Sequence, residues 1–267
     1  MQRNRIIRRV MPEGDAGQQT NIFKRSISKS FKGKAVVQPN TTVRNVPKST
    51  RIVNSAKVRP MDNLVYDNVE KIWDKETVYI IGGGPSLQGF NFNHLLGSNV
   101  IAINKAIFYY QMAQVLYWTD CRFYTWYKND IDNFKCSKYT IKPQSNYASD
   151  VKLLKRGVAH GLEESNDTLA HGNNSGYAAI NLAYHLGAKR IILLGYDMGR
   201  DGEKSHFHDG YPSRPTRDGV YSEQFLPMFQ SLNESLKKKG VNVMNASPYS
   251  RLQVFPKITH EQALMFR

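Results

Sequence analysis

The sequence predicts an α/β fold built on a doubly wound, mostly parallel sheet, and three observations predict it. Six short runs rich in β-branched residues alternate with segments of helical periodicity. The runs are apolar along nearly their whole length, as strands covered on both faces must be. They end at Gly, Asn, Asp or Ser, residues that turn a chain at a strand end. Together these describe a Rossmann-like sheet in a single domain, residues 60–267, preceded by a disordered or extended basic arm, residues 1–59.

Thr77–Ile81 (TVYII) is the first run and leads into Gly82-Gly83-Gly84-Pro85-Ser86, after which a helix is expected. Asn99–Ile103 stops at Asn104-Lys105, and Gln114–Trp118 stops at Thr119-Asp120. Ser137–Ile141 is the fourth, Lys189–Leu194 the fifth, ending in Gly195-Tyr196-Asp197, and Val241–Met244 the sixth, ending in Asn245-Ala246-Ser247-Pro248. Ser175–Leu186 carries Ala178, Ala179, Leu182, Ala183 and Leu186 on one side, with an Asn/Ser cap before it and Gly187 after it. Glu223–Lys239 repeats apolar residues at helical spacing and closes on Lys-Lys-Lys-Gly, which complements the negative end of a helix. Pro227 falls in its first turns, where proline is tolerated. There is no internal repeat.

The 267 residues suffice for a sizeable core. No stretch reaches the ~20 apolar residues of a membrane span. The start, MQRNRIIRRV, is basic but leads into no apolar segment, so no secretory signal is expected. Two cysteines, Cys121 and Cys136, make neither a disulfide framework nor a four-thiolate zinc site. A cytoplasmic protein is expected.

Charge is segregated. Residues 1–59 hold 14 Lys/Arg against Glu13 and Asp15; residues 60–267 hold 23 basic and 20 acidic residues. The arm has Phe23 and Phe31 but no Trp or Tyr, too little apolar surface to offset the entropy of ordering itself. Three readings compete: a solvated tail, an organelle transit peptide, and an arm that binds a polyanion, most plausibly DNA or RNA, by counterion release.

In an open parallel sheet, ligands bind beyond the carboxyl ends of the strands. That gathers Gly82, Gly83, Gly84, Pro85, Ser86, Asn104, Asp120, Gly195, Asp197 and Asn245 as candidate site residues. Glycines let backbone approach a ligand, and a helix N-terminus presents free N–H groups to phosphate. The glycine spacing is neither G-x-G-x-x-G nor a Walker P-loop. Asn174, Ser175 and Gly176 open the helix that begins at Ser175, as a cap or as a second anion-binding terminus. Asp120 and Asp197 are candidate bases or acceptors for sugar hydroxyls, or helix caps. Asp130-Ile131-Asp132 spells D-x-D but follows no apolar strand, so it reads as helix surface. His206 and His208 sit in a long polar loop, Gly199–Tyr221, with the length of a lid. Either histidine suits a general base near neutral pH, or the pair an incomplete metal site. Nine aromatic residues lie between 108 and 127, as core or as a stacking surface.

VYIIGGGPSL, VIAIN, NNSGYAAINLAYHLGAKRIILLGYDM, the histidine loop and VNVMNASPYSRLQVFPKI, in that order, resemble two related groups over residues 76–260. One is the bacterial sialyltransferase family that uses CMP-activated sialic acid. The other comprises motility-associated-factor-type glycosyltransferases and archaeal pterin pyrophosphokinase-like proteins, with small members in tailed phages; Gly83 and GYDM fit it better. The resemblance implies a nucleotide-sugar fold and metal-independent transfer from a CMP- or UDP-type donor, with no further cofactor. By motif position, Gly82–Ser86 would line the phosphates, Asn104 would hold the donor, and Ser175-Gly176 would contact base or ribose. His208, or second His206, would deprotonate the acceptor. Asn245, Ser250 and Arg251 would close the far side. With the basic arm, a hydroxylated base in phage DNA is the expected acceptor, in a host cytoplasm. The rivals are a pterin-type pyrophosphokinase with Mg²⁺ on Asp120 or Asp197, and a non-catalytic nucleotide- or nucleic-acid-binding protein.

Overall fold

A computed structural model describes residues 64–213 and 216–267. The basic arm, and with it every expectation about residues 1–59, lies outside the described residues.

Seven strands form one sheet: β1 (Thr77–Ile81), β2 (Asn99–Ile103), β3 (Val115–Trp118), β4 (Ser137–Thr140), β5 (Val151–Leu153), β8 (Arg190–Leu194) and β9 (Asn242–Asn245). Their order is β5-β4-β3-β2-β1-β8-β9, and every neighbouring pair is parallel. A separate pair, β6 (Lys155–Arg156) and β7 (Thr168–Leu169), is also parallel. The expected doubly wound parallel sheet is therefore the fold. The six expected strands are all there, within one or two residues at each end. β5 and the β6–β7 pair were not expected. They have three or two residues each and no apolar run to announce them.

Alternation along β1 explains the two layers. Val78 and Ile80 belong to one core, with Ile101, Ile191 and Leu193. Tyr79 and Ile81 belong to the other, with Val100, Leu116, Trp118, Ile192 and Leu194. The first core receives α3 (Ser175–His185) through Ala178, Ala179 and Leu182, and α5 (Phe229–Lys238) through Phe229, Leu232 and Leu236. The second is covered by α1 (Ala106–Tyr109), α2 (Cys121–Asn133) and α6 (His260–Leu264). Each fully buried aliphatic side chain contributes about 1.5–3 kcal/mol.

Two helical expectations change. After Pro85 the chain makes only a three-residue 3-10 turn, Pro85–Leu87, not a helix. The expected helix Glu223–Lys239 is one α-helix only from Phe229. Ahead of it run α4 (Asp218–Val220), a π-helical segment Tyr221–Phe225 and a 3-10 turn Leu226–Met228 containing Pro227. Proline has no N–H for the α-helical ladder, so the regular helix starts beyond it. Asp130-Ile131-Asp132 lies on α2, where Asp132 accepts from Tyr124 and Lys128, as a surface reading required.

β1 pairs with β2 on one side and with β8 on the other. The chain leaves β1 toward β2 and returns to its opposite edge only at β8. That change of direction opens a crevice beyond the carboxyl ends of β1, β2 and β8.

Candidate functional site

The glycine turn after β1 is pinned by backbone. The N–H of Gly82 bonds Leu194 O and that of Gly84 bonds Gly195 O, both at 2.8 Å. Pro85 has no N–H, and that of Ser86 goes to Asp197 Oδ1 at 3.2 Å. Only Gly83 keeps an N–H without a partner among the described residues. A Cβ on Gly82 would lie 2.7 Å from Gly195 O, and one on Gly84 would lie 1.8 Å from Asp197 Oδ2. These two glycines are therefore demanded by packing against the turn after β8. Gly83 is different: its Cβ would lie 3.0 Å from His206 Cδ2. The expectation that all of Gly82–Ser86 presents N–H groups to phosphate narrows to Gly83, because the others are spent within the protein.

The second segment opens α3. Asn174 caps it, accepting the Tyr177 N–H at 2.8 Å, which leaves the first-turn N–H groups of Ser175 and Gly176 at the positive end of an 11-residue helix. Tyr196 packs over Gly176 and donates its hydroxyl to Gly176 O. His171 lies buried under the turn and accepts the Asn173 N–H.

A cavity of about 740 Å³ brings the two segments together. Gly82, Gly83, Gly84, Asn104, Asp120, Asn174, Ser175, Gly176, Gly195, Asp197 and His206 all line it. Asn104 Oδ1 is buried there without a partner among the described residues. A buried unpaired carbonyl costs about 1–3 kcal/mol, so it marks where a ligand donor gains most. Three cavity residues other than glycine, Asn104, Asn173 and Met198, hold φ of 51°, 57° and 52°. Such strained backbone clusters at functional sites.

Six expected residues do not line this cavity. Pro85, Ser86 and Arg251 line a smaller one that Asp197 also borders. Asn245 and Ser250 are corrected outright as ligand contacts: they are 0% and 2% exposed and bond each other. Ser250 Oγ also donates to Tyr196 O and accepts the Leu252 N–H, and Asn245 Oδ1 accepts the Ser247 N–H. Their polar atoms hold the turns after β8 and β9 together. The sixth is His208.

The histidine loop is fastened to the glycine turn by Phe207 N–H to Gly83 O at 3.1 Å, and to the turn after β2 by Lys105 Nζ to Gly210 O at 2.8 Å. His206 and His208 stack, with ring centroids 4.7 Å apart and planes 18° apart. His208 lies behind His206, 9% exposed, and its Nδ1 accepts the Gly210 N–H at 3.1 Å. A backbone N–H can only donate, so neutral His208 carries its proton on Nε2. That Nε2 is buried and without a partner among the described residues. Burial, helped by the charges of His206 and Lys105, lowers the His208 pKa to about 3. His206 is lowered as well, by burial first and Lys105 second. Its Nδ1 lies 2.9 Å from Ser205 Oγ, and its Nε2 has no partner among the described residues.

Both strand-end aspartates are engaged. Asp120 caps α2 through the Arg122 N–H, and both its oxygens meet the Arg122 guanidinium, which holds its carboxyl below the ordinary range. Asp197 takes the Ser86 hydroxyl and N–H; burial raises its carboxyl above the ordinary range despite those bonds. Among the described residues no three His, Cys, Asp or Glu converge as a metal cluster. Sequence reasoning missed Lys105, Ser205, Tyr211 and Met198, which stand around the loop histidines and the cavity. Trp126, also on the cavity wall, was visible only as one of nine aromatics; most of the others pack in the core.

No protein-family model matches the chain, and no curated protein matches it. Solved structures do. The MAf glycosyltransferase from Magnetospirillum magneticum AMB-1 superposes with a TM-score of 0.51 at 14% identity, over 73% of this chain and 36% of its own. The chain thus spans about a third of that enzyme's length. The sialyltransferase CstII from Campylobacter jejuni with cytidine-5'-monophosphate gives 0.44 at 15% identity, over 70% of this chain and 86% of its own. CstII with CMP-3FNeuAc gives 0.40 at 16% identity, over 69% and 85%. At these identities the likeness to the MAf enzyme is one of fold.

Proposed function

We propose that the protein is a glycosyltransferase that moves a sugar from a nucleotide-sugar donor to an acceptor hydroxyl. One observation carries the reading. The Gly83 N–H, the N-terminal N–H groups of α3 at Ser175 and Gly176, the unpaired Asn104 Oδ1 and the His206 imidazole line a single cavity of about 740 Å³. Phosphate on the departing nucleotide gains charge as the glycosidic bond breaks, and fixed N–H donors stabilise charge that develops in place. They do so without a metal ion, which is part of the proposal. His206 takes the acceptor proton through Nε2. His208, the first expectation for that role from the sequence, is buried behind it with its proton on the wrong nitrogen. The fold of the MAf glycosyltransferase agrees with the reading at the level of architecture.

The finer reading is an acceptor on nucleic acid. It is supported by the contrast between an arm with 14 basic and two acidic residues and a nearly balanced body.

A thermal-shift panel of CMP-, UDP-, GDP- and ADP-sugars on the full chain, followed by turnover of the stabilising donor with and without EDTA, tests the proposal. Stabilisation by a CMP- or UDP-sugar, and EDTA-resistant release of its nucleotide, is expected. A panel without any stabilising donor, or turnover abolished by EDTA and restored by Mg²⁺, contradicts it.

A further inference from the structure

We infer that Ser205 and Gly210 set the two stacked imidazoles in opposite tautomers, with Ser205 the positioning residue that leaves His206 a lone pair facing the cavity. Geometry alone sets the His208 tautomer; that of His206 rests also on the transferase reading, which requires a lone pair on Nε2. His208 is fixed by a donor with no alternative, the Gly210 N–H. His206 Nδ1 meets a hydroxyl, which donates or accepts with equal ease, 2.9 Å away. Ser205 Oγ has no other partner among the described residues and stands on the cavity wall. If it donated to Nδ1, His206 would carry its proton on Nε2, and both histidines would present N–H groups. If it accepts from Nδ1–H, the pair presents one lone pair, on His206, and one N–H, on His208.

The other groups around His206 favour a neutral ring in a fixed pose. His208 stacks on one face, Tyr211 meets it edge-on at 5.2 Å, and a side chain on Gly83 would press on Cδ2, its Cβ coming to 3.0 Å. Lys105 is the cation whose charge it feels, and Asp209 is the acid that follows on the loop. In the transfer step the acceptor O–H gives its proton to His206 Nε2 while its oxygen bonds the anomeric carbon. The bond from that carbon to the phosphate oxygen breaks, and the nucleotide departs with the electron pair. His206 finishes doubly protonated, its Nδ1–H still held by Ser205 Oγ.

Long-range ¹H–¹⁵N correlation of the histidine rings in the full chain at neutral pH reads both tautomers without any substrate. His206→Ala and His208→Gln assign the two signals. His206 in the Nδ1–H form and His208 in the Nε2–H form are expected. Ser205→Ala should shift His206 toward Nε2–H and lower kcat by about tenfold with the donor KM unchanged, and Ser205→Thr should restore both. His206 in the Nε2–H form in the wild-type chain overturns the inference, as does a Ser205→Ala variant with unaltered tautomer and kcat. Normal turnover by His206→Ala would instead remove the base from the transferase reading, while the spectra still decide the tautomers.

Discussion

Ser86 gives both its hydroxyl, at 2.8 Å, and its backbone N–H, at 3.2 Å, to the carboxylate of Asp197, which lies 111 positions along the chain. The pair latches the turn after β1 to the turn after β8, across the opening at which the sheet changes direction. Asp197 is 8% exposed, so removing the hydroxyl leaves a buried carboxylate short of a donor. Ser86→Ala is expected to cost about 2 kcal/mol in denaturant unfolding at neutral pH. Burial raises the Asp197 pKa above its ordinary 3.8, so the folded state holds that proton more tightly than the unfolded one. Its contribution is therefore full below pH 3.8 and declines as pH rises through the folded value. Asp197→Asn is not subject to this decline, so its Tm relative to the wild type should be higher at pH 7 than at pH 4.

The glycines separate folding from site geometry. Gly84→Ala drives a methyl to 1.8 Å from Asp197 Oδ2 and should destabilise by about 3 kcal/mol. Gly83→Ala meets the edge of His206 at 3.0 Å and touches His208 Nε2 at an ordinary 3.6 Å. It should leave Tm within a few degrees of the wild type, yet lower turnover about 10- to 100-fold by displacing the base. Unfolding curves and initial rates on both variants check the contrast.

The burial of His208 is expected to make the protein acid-labile. Its pKa falls from 6.5 to about 3 on folding, so the folded state resists a proton that the unfolded chain accepts. Stability is full above pH 6.5 and is lost as pH falls, with about 2 kcal/mol gone by pH 5. His208→Gln removes that slope, and its Tm should drop less between pH 7 and pH 5 than the wild type's. Equal drops would show that His208 titrates normally.

Deleting residues 1–59 tests the acceptor class. If the arm neutralises phosphates, affinity for single- or double-stranded DNA falls steeply with salt in the full chain, and the deletion flattens that slope by about 0.7–0.9 per lost contact. A full chain that ignores DNA at low salt rejects a nucleic-acid acceptor and leaves the transferase reading standing.

Much of this molecule was legible in its sequence, for a physical reason. Strands buried on both faces carry their signal in every residue, so TVYII and NVIAI have the same bounds in the structure as in the sequence reading. Asn174 and Gly187 bracket α3 because caps are local chemistry. Strand ends pointed to Gly83 and Asn104, a helix cap to Ser175 and the loop to His206, and these four line one cavity. Direction at a strand end was not legible. Asn245 and Ser250 are as polar as Asn104, but they turn inward, where each other and the Tyr196 carbonyl satisfy them. Nor does H-x-H spacing tell which imidazole faces the cavity, because loop backbone has no fixed period. β5, at three residues, has too little length to leave a pattern.

Single-turnover transfer by His206→Ala, with the donor first identified by the thermal-shift panel, bears most directly on the central claim. The variant is expected to bind that donor with wild-type affinity and to transfer about 10²- to 10⁴-fold more slowly. Wild-type transfer by the variant, or loss of donor binding together with transfer, would contradict it.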